Sequence, residues 1–418
     1  MPEDQTEVLV VGAGPVGLLT ALLLAEAGIE VRIIDHEERV TARSYACALH
    51  PRTLKLLARL GLAEPLLEQG RRLQTIGFYE GKARCAQIRL SELGGDYPFL
   101  LVLPQNVLEE TLERRLRQAG PKVQWNHRFD ALEPQEDFVV ATIEKLGGTS
   151  TGYIVPHWEK IVKNRRELHA QFVVGADGPN SLVRARLGIA NERVGGREFF
   201  VAYEFESEQS ADEEVRVVLD AETTNVLWPL TGNKYRWTFQ LVKSEASNEF
   251  PDKDRRAVQF MPKAVDEALC KRVEKFVSRR APWFGAGVKQ VNWCTDVGFE
   301  HRVGTHFGRG RCWLAGDAAH QTGPVGAQSM NVGLHEAADL ALKLQNVLRQ
   351  GYALESLDAY NQERRSEWRS LLGLEGGLLA TSETTAWVRD RRGRLLSCLP
   401  GAGEDLVHLA NQLKLDYK

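Results

Sequence analysis

The sequence predicts an α/β protein in which a parallel, helix-covered sheet is joined to a second sheet of alternating strands. The first observation is the apolar, β-branched run Thr6–Val11, which leads through a glycine-rich turn into an apolar helix and then a second strand, Glu30–Ile34. The second observation is a change of pattern after about residue 190, where longer alternating strands replace the strand–helix units. Together these patterns indicate two different sheets in one chain.

The turn after the first strand has the glycine spacing of a dinucleotide-binding site. Gly12 permits the tight turn, Gly14 lets a pyrophosphate approach the backbone, and Gly17 permits close packing of the helix on the strand. Free N–H groups at the start of the helix, reinforced by its dipole, then bind the phosphates. The sequence therefore predicts a Rossmann-like nucleotide-binding domain at the beginning of the chain.

The second strand ends in Asp35, where a carboxylate can accept hydrogen bonds from ribose hydroxyl groups. An acidic residue at this point favours a ribose without a 2′-phosphate, and so favours FAD or NAD over NADP. The first motif alone leaves the choice between FAD and NAD open.

Two later strands also end beside a glycine and an aspartate. Asp177 follows the predicted strand Leu168–Val174, and Asp317 follows the predicted strand Arg311–Ala315. A glycine-rich loop, Thr322–Gly326, and the start of a predicted helix come next. Two such aspartates suit a long ligand with several hydroxyl groups, and a helix start beside a glycine-rich loop can hold the negative charge of a reduced flavin ring.

With these motifs in this order, the chain resembles the class A flavoprotein monooxygenases, the para-hydroxybenzoate hydroxylase family of FAD enzymes. The resemblance covers roughly residues 6–375 and rests on GAGPVG at Gly12–Gly17, GADGPNSLVR at Gly175–Arg184 and GDAAHQTGPVGAQSMN at Gly316–Asn331. It implies an α/β fold with a Rossmann-like FAD-binding domain of the GR2 type, an inserted sheet-rich substrate domain and a C-terminal helical tail.

The expected domains are interleaved along the chain. We expect a discontinuous FAD-binding domain (residues 1–75, 100–190 and 300–375), a substrate-binding β-sheet domain (76–99 and 191–299) and a C-terminal helical segment (376–418). The strands expected in the substrate domain are Gln74–Tyr79, Ala83–Leu90, Phe199–Phe205, Glu214–Leu219, Asn225–Leu230 and Tyr235–Val242.

For the cofactor, the resemblance implies binding residues spread along the chain. Asp35 binds the adenosine ribose, Gln105 contacts the sugar region of FAD, and Asp177 belongs to a motif linked with both FAD and the pyridine nucleotide. Asp317 accepts a hydrogen bond from the ribityl chain. The full expected set is Gly12, Gly14, Pro15, Val16, Gly17, Asp35, Arg43, Gln105, Asp177, Gly316, Asp317, Pro324, Gly326, Met330 and Asn331.

Near the reactive part of the flavin, the resemblance implies further contacts. Pro324 lines the reactive edge of the ring. Backbone N–H groups near Met330 and Asn331 bind the ring oxygen atom O2 of the flavin. Arg236 lies where the family often has an arginine near flavin and substrate, so Arg236 and Pro324 are the candidates on the substrate side. The sequence identifies no side-chain base.

The chain also departs from the family pattern. Tyr45 stands where the family commonly has an arginine, and Arg43, two residues earlier, is the candidate replacement at the pyrophosphate. Ala327 and Ser329 stand where glycines are common, and their side chains are expected to narrow the room for flavin movement.

The activity implied by the resemblance is FAD-dependent monooxygenation. NADPH or NADH acts as a transient electron donor, O2 gives a C4a-hydroperoxyflavin, and one oxygen atom passes to a small aromatic or polycyclic substrate in a water-poor pocket. Hydroxylation is the leading reaction, with epoxidation and Baeyer–Villiger oxidation left open. The alternatives are a reductase or oxidase of the same fold without oxygen insertion, and a non-catalytic flavin-binding protein.

Composition narrows the other classes of function. The chain has 418 residues, and its 53 Lys and Arg against 56 Asp and Glu give a net charge of −3, which argues against a nucleic-acid partner. The six cysteines form no CxxC pair, so we expect reduced thiols in a cytoplasmic protein.

No membrane or metal partner is expected either. The longest apolar run, near Leu18–Ala25, is shorter than the roughly 20 residues of a membrane span. His301, His306 and His320 lack the nearby carboxylate or thiolate spacing that would complete a metal site. The sequence leaves a monomer and a homodimer equally open.

Overall fold

A computed structural model of the protein describes residues 4–39, 48–151, 157–208, 213–245, 259–260, 267–285 and 287–418. The predicted pyrophosphate contact Arg43 and the departure at Tyr45 lie outside the described residues.

The described residues form helices and strands with the following bounds. The helices are α1 (Pro15–Glu26), α2 (Pro51–Arg59), α3 (Ala63–Leu67), α4 (Gln105–Gln118), α5 (Leu182–Arg186), α6 (Glu267–Arg280), α7 (Gln328–Gln350), α8 (Asp358–Leu371), α9 (Ala386–Leu396) and α10 (Glu404–Gln412). The strands are β1 (Gln5–Val11), β2 (Val31–Ile34), β3 (Ala48–Leu49), β4 (Arg71–Leu73), β5 (Thr75–Glu80), β6 (Ala83–Arg89), β7 (Leu100–Val102), β8 (Val123–Gln124), β9 (His127–Pro134), β10 (Val139–Thr151), β11 (His157–Gly175), β12 (Asn191–Glu206), β13 (Glu214–Leu219), β14 (Thr224–Pro229), β15 (Lys234–Leu241), β16 (Gln259–Phe260), β17 (Gln290–Gly304), β18 (Gly308–Arg309), β19 (Cys312–Leu314), β20 (His320–Gln321), β21 (Leu378–Ala380) and β22 (Leu415–Tyr417).

The first large sheet brings the three glycine motifs together. Its strands run in the order β18-β19-β11-β1-β2-β8, and β1 pairs in parallel with both β2 and β11. Val11, Gly175 and Leu314 lie in register at the carboxyl ends of three neighbouring parallel strands. Because each of these residues stands just before or within its motif, the motifs meet at one edge of the sheet, where parallel α/β sheets bind ligands.

The first helix is buried because it is apolar on nearly every side. Helix α1 packs on the first sheet and contacts α4 and α7. A helix of this composition is stable only when other elements surround it, since little of its surface suits water. The helix therefore belongs to the centre of the α/β layer, with its N-terminus at the edge where the motifs meet.

One hairpin of the first sheet is longer than the sequence predicted. Strand β11 begins at His157, whereas the prediction placed this strand at Leu168–Val174, and the additional residues pair with β10. Most side chains from residue 160 to 167 are exposed. A strand with no buried face lacks the apolar alternation on which the prediction depended, which explains the missed extension.

The second large sheet is the predicted sheet-rich insertion. Its strands run in the order β16-β17-β12-β15-β14-β13-β5-β6, and β20 pairs with β17 at one end. All six strands expected there are present, although β12 begins at Asn191 rather than Phe199. Helix α6 covers one face of the sheet through an aromatic core. The large buried members of that core are Tyr203, Phe205, Tyr235, Trp237, Phe239 and Phe276.

The C-terminal segment is mainly helical, as predicted, and also contains the two-stranded sheet β21–β22. It is attached to the second large sheet and to the loop of the third glycine motif. Arg394 of α9 donates hydrogen bonds to the carbonyl of Asp220 at 2.7 Å and to the carbonyl of Thr223, in the turn between β13 and β14. A β-carbon added to Gly326 would lie 2.5 Å from the carbonyl oxygen of Ser397. The segment therefore covers the region between the insertion and the third glycine motif.

Among the described residues, no helix has both the length and the apolar character needed to cross a membrane.

The contact between Gly326 and Ser397 gives a test of how the C-terminal segment is attached. We expect Gly326→Ala to lower the free energy of unfolding by about 1–3 kcal/mol, because its methyl group meets backbone that cannot move without undocking the segment. Gly393→Ala is the matched control. It lies within α9, where no atom of the described residues is near its added β-carbon, and should raise stability by about 0.5–1 kcal/mol. Denaturant unfolding of both variants measures the difference, and equal stabilities would contradict the proposed contact.

Candidate active site

A cavity of about 270 Å³ lies between the edge where the three motifs meet and the open face of the second sheet. Eight of the residues expected at the cofactor or beside it line this one cavity. They are Gly14, Pro15, Val16, Gln105, Arg236, Asp317, Pro324 and Met330. We call it the cofactor cavity.

The three glycines of the first motif have different surroundings. Gly12 has φ +105°, and a β-carbon there would collide with the carbonyl group of Ala176. A β-carbon at Gly17 would collide with the carbonyl oxygen of Gly12. Gly14, in contrast, has no atom of the described residues near the position of its missing side chain, and it lines the cofactor cavity. Gly12 and Gly17 therefore permit the fold, while Gly14 leaves bare backbone at the N-terminus of α1, where phosphates bind.

Asp35 lies at the end of β2, beside this turn. Its carboxylate accepts hydrogen bonds from the backbone N–H of Ala13 at 2.6 Å and of Glu37 at 2.8 Å. These bonds hold the side chain against the glycine turn. A carboxylate so placed has lone pairs left for hydroxyl groups of a ligand that lies along the turn.

Asp177 caps helix α5. Its Oδ2 atom accepts hydrogen bonds from the N–H groups of Leu182 at 2.7 Å and Val183 at 3.2 Å. Burial raises the pKa of Asp177, and hydrogen bonds from Ser181 and these N–H groups counteract part of that effect. Its neighbours Ala176 and Gly178 line the cofactor cavity, so the second motif contributes mainly backbone to the wall.

The third motif contains a buried hydrogen-bonded chain. The hydroxyl group of Ser329 donates to Asp317 Oδ1 at 2.5 Å and lies 3.5 Å from Nδ1 of His320. The other ring nitrogen of His320 lies 2.9 Å from Glu336 Oε2. Burial raises the pKa of Asp317, whereas the bond from Ser329 lowers it. Ser329, one of the departures from the family pattern, thus stabilises the ionised form of the aspartate.

Glu336 connects this chain to the surrounding helices. Its carboxylate is fully buried and accepts the Gly316 N–H at 2.8 Å and the indole N–H of Trp368 at 2.6 Å. The His320 ring stacks on Trp368 with 3.7 Å between the ring centroids. Burial raises the pKa of Glu336, but the His320 charge and the hydrogen bonds outweigh it, so this pKa lies below its ordinary value of 4.5.

Asn331 and Gly326 hold the start of α7 in place. The amide group of Asn331 donates to the carbonyl groups of Ala48 at 2.9 Å and Ala327 at 2.7 Å. His50 Nε2 lies 2.9 Å from the Gly326 carbonyl oxygen, and burial lowers the His50 pKa to about 4. The imidazole is therefore neutral at pH 7. These side chains support the wall of the cofactor cavity from behind, and a direct contact of Gly326 or Asn331 with the cofactor stays a prediction.

Arg236 lies in a row of side chains on the open face of the second sheet. Strand pairing sets Trp293, Glu204, Arg236 and Trp228 side by side across four strands. Arg236 Nε donates to Glu204 Oε1 at 2.8 Å, and its guanidinium carbon lies 5.2 Å from the centre of the Trp293 ring. The guanidinium group is buried but lines the cofactor cavity, so the sheet places a guanidinium group that is paired with a carboxylate opposite the glycine motifs.

A second, larger cavity of about 630 Å³ shares Thr322 and Gly323 with the first. We call it the outer cavity. Its walls come from the second sheet, the loop 322–325 and the C-terminal segment. The sequence analysis missed most of these residues because they belong to no motif. The lining residues outside the motifs include Val194, Glu198, Phe200, Thr224, Gln240, His301, Leu371, Leu378, Asp390, Arg392, Arg394 and Leu396.

The described residues contain no cluster of three or more His, Cys, Asp or Glu side chains arranged to hold a metal ion. Organic redox cofactors need no such cluster, and the bare backbone at Gly14, the α1 and α7 helix starts and the Asp317 carboxylate fit the phosphates, ring and hydroxyl groups of FAD.

The open space at Gly14 separates a binding role from a folding role. We expect Gly14→Ala to weaken FAD binding by at least about tenfold, or about 1.4 kcal/mol, because the methyl group occupies the phosphate position. The apoprotein should keep its melting temperature, since Gly14 has φ −72° and no neighbour to displace in the part of the chain that the structure describes. Gly12→Ala is the comparison and should destabilise the apoprotein itself. FAD titration and thermal unfolding distinguish the two, and unchanged FAD affinity in Gly14→Ala would contradict this role.

The buried carboxylate gives a test with pH. We expect Glu336→Gln to lower the free energy of unfolding by about 3–5 kcal/mol, because it removes one partner of a buried pair. Since the pKa of Glu336 is depressed in the folded protein, its contribution is present above pH 4.5 and is lost as the pH falls further. The variant should therefore lose less stability than the wild type on acidification.

Glu363→Gln is the control for this substitution, because Glu363 is exposed and pairs with Lys343 on the surface. It should change stability by less than about 1 kcal/mol. Urea unfolding at a series of pH values measures both variants, and parallel pH curves for wild type and Glu336→Gln would refute the buried pair.

Comparison with known proteins agrees with this site. The family described as "FAD binding domain" matches residues 5–372 of the chain. The chain is 31% identical over 388 residues to 6-methylpretetramide 4-monooxygenase of Streptomyces rimosus, covering 91% of this chain and 62% of that protein. It is 28% identical over 373 residues to para-nitrophenol 4-monooxygenase of Pseudomonas sp. (strain WBC-3), covering 86% of this chain and 82% of that protein.

Solved structures have the same fold. The crystal structure of p-nitrophenol 4-monooxygenase from Pseudomonas putida DLL-E4 matches with a TM-score of 0.73 at 23% identity, covering 98% of this chain and 97% of that one. Aklavinone-11 hydroxylase, in a complex with FAD and aklavinone, matches with a TM-score of 0.68 at 23% identity, covering 89% of this chain and 68% of that one. The three motifs, the cavity they form and the family match over 5–372 lead to one conclusion: the chain belongs to the FAD binding domain family.

Proposed function

We propose that this protein is a FAD-dependent monooxygenase that uses NADPH or NADH and O2 to hydroxylate an aromatic or polycyclic substrate. The observation that carries the proposal is the junction of two cavities at Thr322 and Gly323. One cavity has the groups that a flavin dinucleotide requires, and the other adds space for an organic substrate beside it. The names of two relatives, which act on a pretetramide and on a nitrophenol, support an aromatic substrate.

The residues that would hold FAD follow the order of the motifs. The glycine turn at Gly12–Gly17 and the start of α1 bind the pyrophosphate, and Asp35 binds the adenosine ribose. Gln105, at the start of α4, contacts the sugar region, and Asp317 accepts from the ribityl chain. FAD supplies the transfer of electrons from the nicotinamide to O2.

The loop after the third motif positions the reactive edge. Pro324 and Met330 line the cofactor cavity, and α7 begins at Gln328 with its first N–H groups directed toward this loop. A helix N-terminus stabilises negative charge, so this end of α7 suits the carbonyl side of a reduced flavin ring. Ala327, with φ +51°, and Ser329 add side chains where the family often has glycine. Both restrict the movement of a bound ring.

The outer cavity suits a substrate of more than one ring. Its volume lies within the range of sites that hold drug-sized molecules. Apolar side chains such as Phe200, Val325 and Leu378 contact a flat aromatic body, whereas Gln240 and Thr224 offer hydrogen bonds to its substituents. The C-terminal segment covers this cavity and limits the access of water to the reacting atoms, which oxygen transfer requires.

The proposal includes a cytoplasmic location, which the need for a nicotinamide donor and the free cysteines among the described residues support.

The test measures oxygen transfer directly. The FAD-loaded protein is mixed with NADPH or NADH and a panel of phenols and polycyclic phenols under labelled O2. We expect a substrate to raise NAD(P)H oxidation at least about tenfold, which corresponds to about 1.4 kcal/mol of barrier, and to acquire one labelled oxygen atom. Label found only in water or peroxide would refute oxygen insertion and favour a reductase or oxidase. The same mixture without an aromatic compound is the control.

A further inference from the structure

We propose that His301, oriented by Glu198, is the catalytic base that removes the proton from a hydroxyl group on the aromatic substrate. The substrate class is therefore narrowed to phenols, bound in the outer cavity. This inference rests on the proposed function, since it assigns a further residue to the same site. Neither residue belongs to a glycine motif.

The two side chains form a pair through strand pairing. His301 lies on β17 and Glu198 on the neighbouring β12, and His301 Nε2 is 3.2 Å from Glu198 Oε2. The pairing register shifts between Val194 and Glu198, so that Val194 lies opposite His301 while Glu198 lies opposite Phe299. An irregularity of this kind redirects side chains locally, and here it brings the carboxylate to the imidazole.

The pair lies against the loop that separates the two cavities. A β-carbon added to Gly323 would be 3.7 Å from both His301 Nε2 and Glu198 Oε2. Gly323 lines both cavities, and both members of the pair line the outer cavity. A substrate in the outer cavity that reaches toward Pro324 therefore passes the imidazole.

The two ring nitrogens have different surroundings. With the Glu198 carboxylate beside it, Nε2 carries the hydrogen and donates it, which leaves the lone pair of Nδ1 as the acceptor. Among the described residues, Nδ1 of His301 has no hydrogen-bond partner. An imidazole oriented by a carboxylate on one nitrogen and open on the other is the arrangement of a general base.

The proposed step is a proton transfer without redox change. The O–H bond of the substrate breaks, a bond forms between the proton and Nδ1, and the electron pair stays on the oxygen as phenolate. The Glu198 carboxylate orients the imidazole through its contact with Nε2, which makes Glu198 a positioning residue. A phenolate pushes electron density into its ring, which prepares the ortho and para carbons to accept an electrophilic oxygen.

Other charged groups line the same cavity. Glu222 belongs to the turn between β13 and β14, and Asp390, Arg392 and Arg394 belong to α9. Arg394 donates to backbone carbonyl groups and to the hydroxyl of Thr224, so its guanidinium group is held at the wall. These groups set the field around the pair, and any effect of pH on binding includes them.

The experiment uses 4-nitrophenol as the probe, because its phenolate form absorbs visible light and its phenol form does not. The FAD-loaded protein is titrated with 4-nitrophenol across pH without NAD(P)H, and the probe's spectrum is corrected for that of the flavin. We expect the bound probe to ionise at a lower pH than in solution, because the imidazole of His301 accepts its proton.

His301→Gln should abolish this shift, and Glu198→Gln should reduce it. His306→Gln is the matched control, because His306 is exposed and lies five positions further along the chain. FAD content and melting temperature of each variant report folding. In turnover, we expect His301→Gln to lower kcat by about 10²–10⁴-fold, the usual contribution of a general base. That loss should shrink as the pH rises and the substrate ionises in solution.

The outcomes separate this inference from the proposed function. An unshifted spectrum, an unaltered shift in His301→Gln, or no binding of nitrophenols at all would overturn the base. If labelled oxygen still enters an aromatic product in those cases, the proposed function stands. If the shift depends on His301 but no compound acquires labelled oxygen, the proton acceptor stands and the monooxygenase proposal fails.

Discussion

The buried carboxylate of Glu336 is the interaction on which the site depends most. It lies on α7 and accepts hydrogen bonds from the Gly316 backbone and from Trp368 on α8, and it pairs with His320. A buried charge is stable only when hydrogen bonds and an opposite charge compensate for the lost water, and these contacts supply that compensation. Glu336 therefore connects the third motif to helices α7 and α8. This connection fixes the position of Asp317 and of the loop that follows it.

A second constraint acts at the first motif. Gly12 and Gly17 have no room for a side chain, because the backbones of β1, α1 and the segment after β11 approach one another directly. Because the chain is closely packed at Gly12 and Gly17, a ligand can approach the bare backbone of this turn at Gly14. Within six positions, Gly12 and Gly17 thus permit the packing of the turn, while Gly14 leaves its backbone open for binding.

The sequence predicted what depends on local spacing. The glycine turns, Asp35, Asp317 and the strands of the insertion follow from short patterns, and the structure places Gly14, Asp317, Pro324 and Arg236 around one cavity. Contacts between distant positions were beyond prediction. Glu198 and His301 are 103 positions apart and meet through an irregular strand pairing that no pattern announces. The partners of Ser329 were hidden for the same reason, and the exposed half of β11 gave no apolar alternation.

Because α9 packs beside the outer cavity, the two cavities are formed by different parts of the chain. The cofactor cavity is built from motif backbone that tolerates little change, whereas one wall of the outer cavity is a short surface helix with exposed Arg392 and Gly393. Substitutions in that helix alter the shape and charge of the outer cavity without changing the residues that are proposed to bind the pyrophosphate and the ribityl chain. The architecture thus lets substrate preference diversify at a low cost in stability, and it makes the C-terminal segment the first place to randomise when a new aromatic substrate is sought.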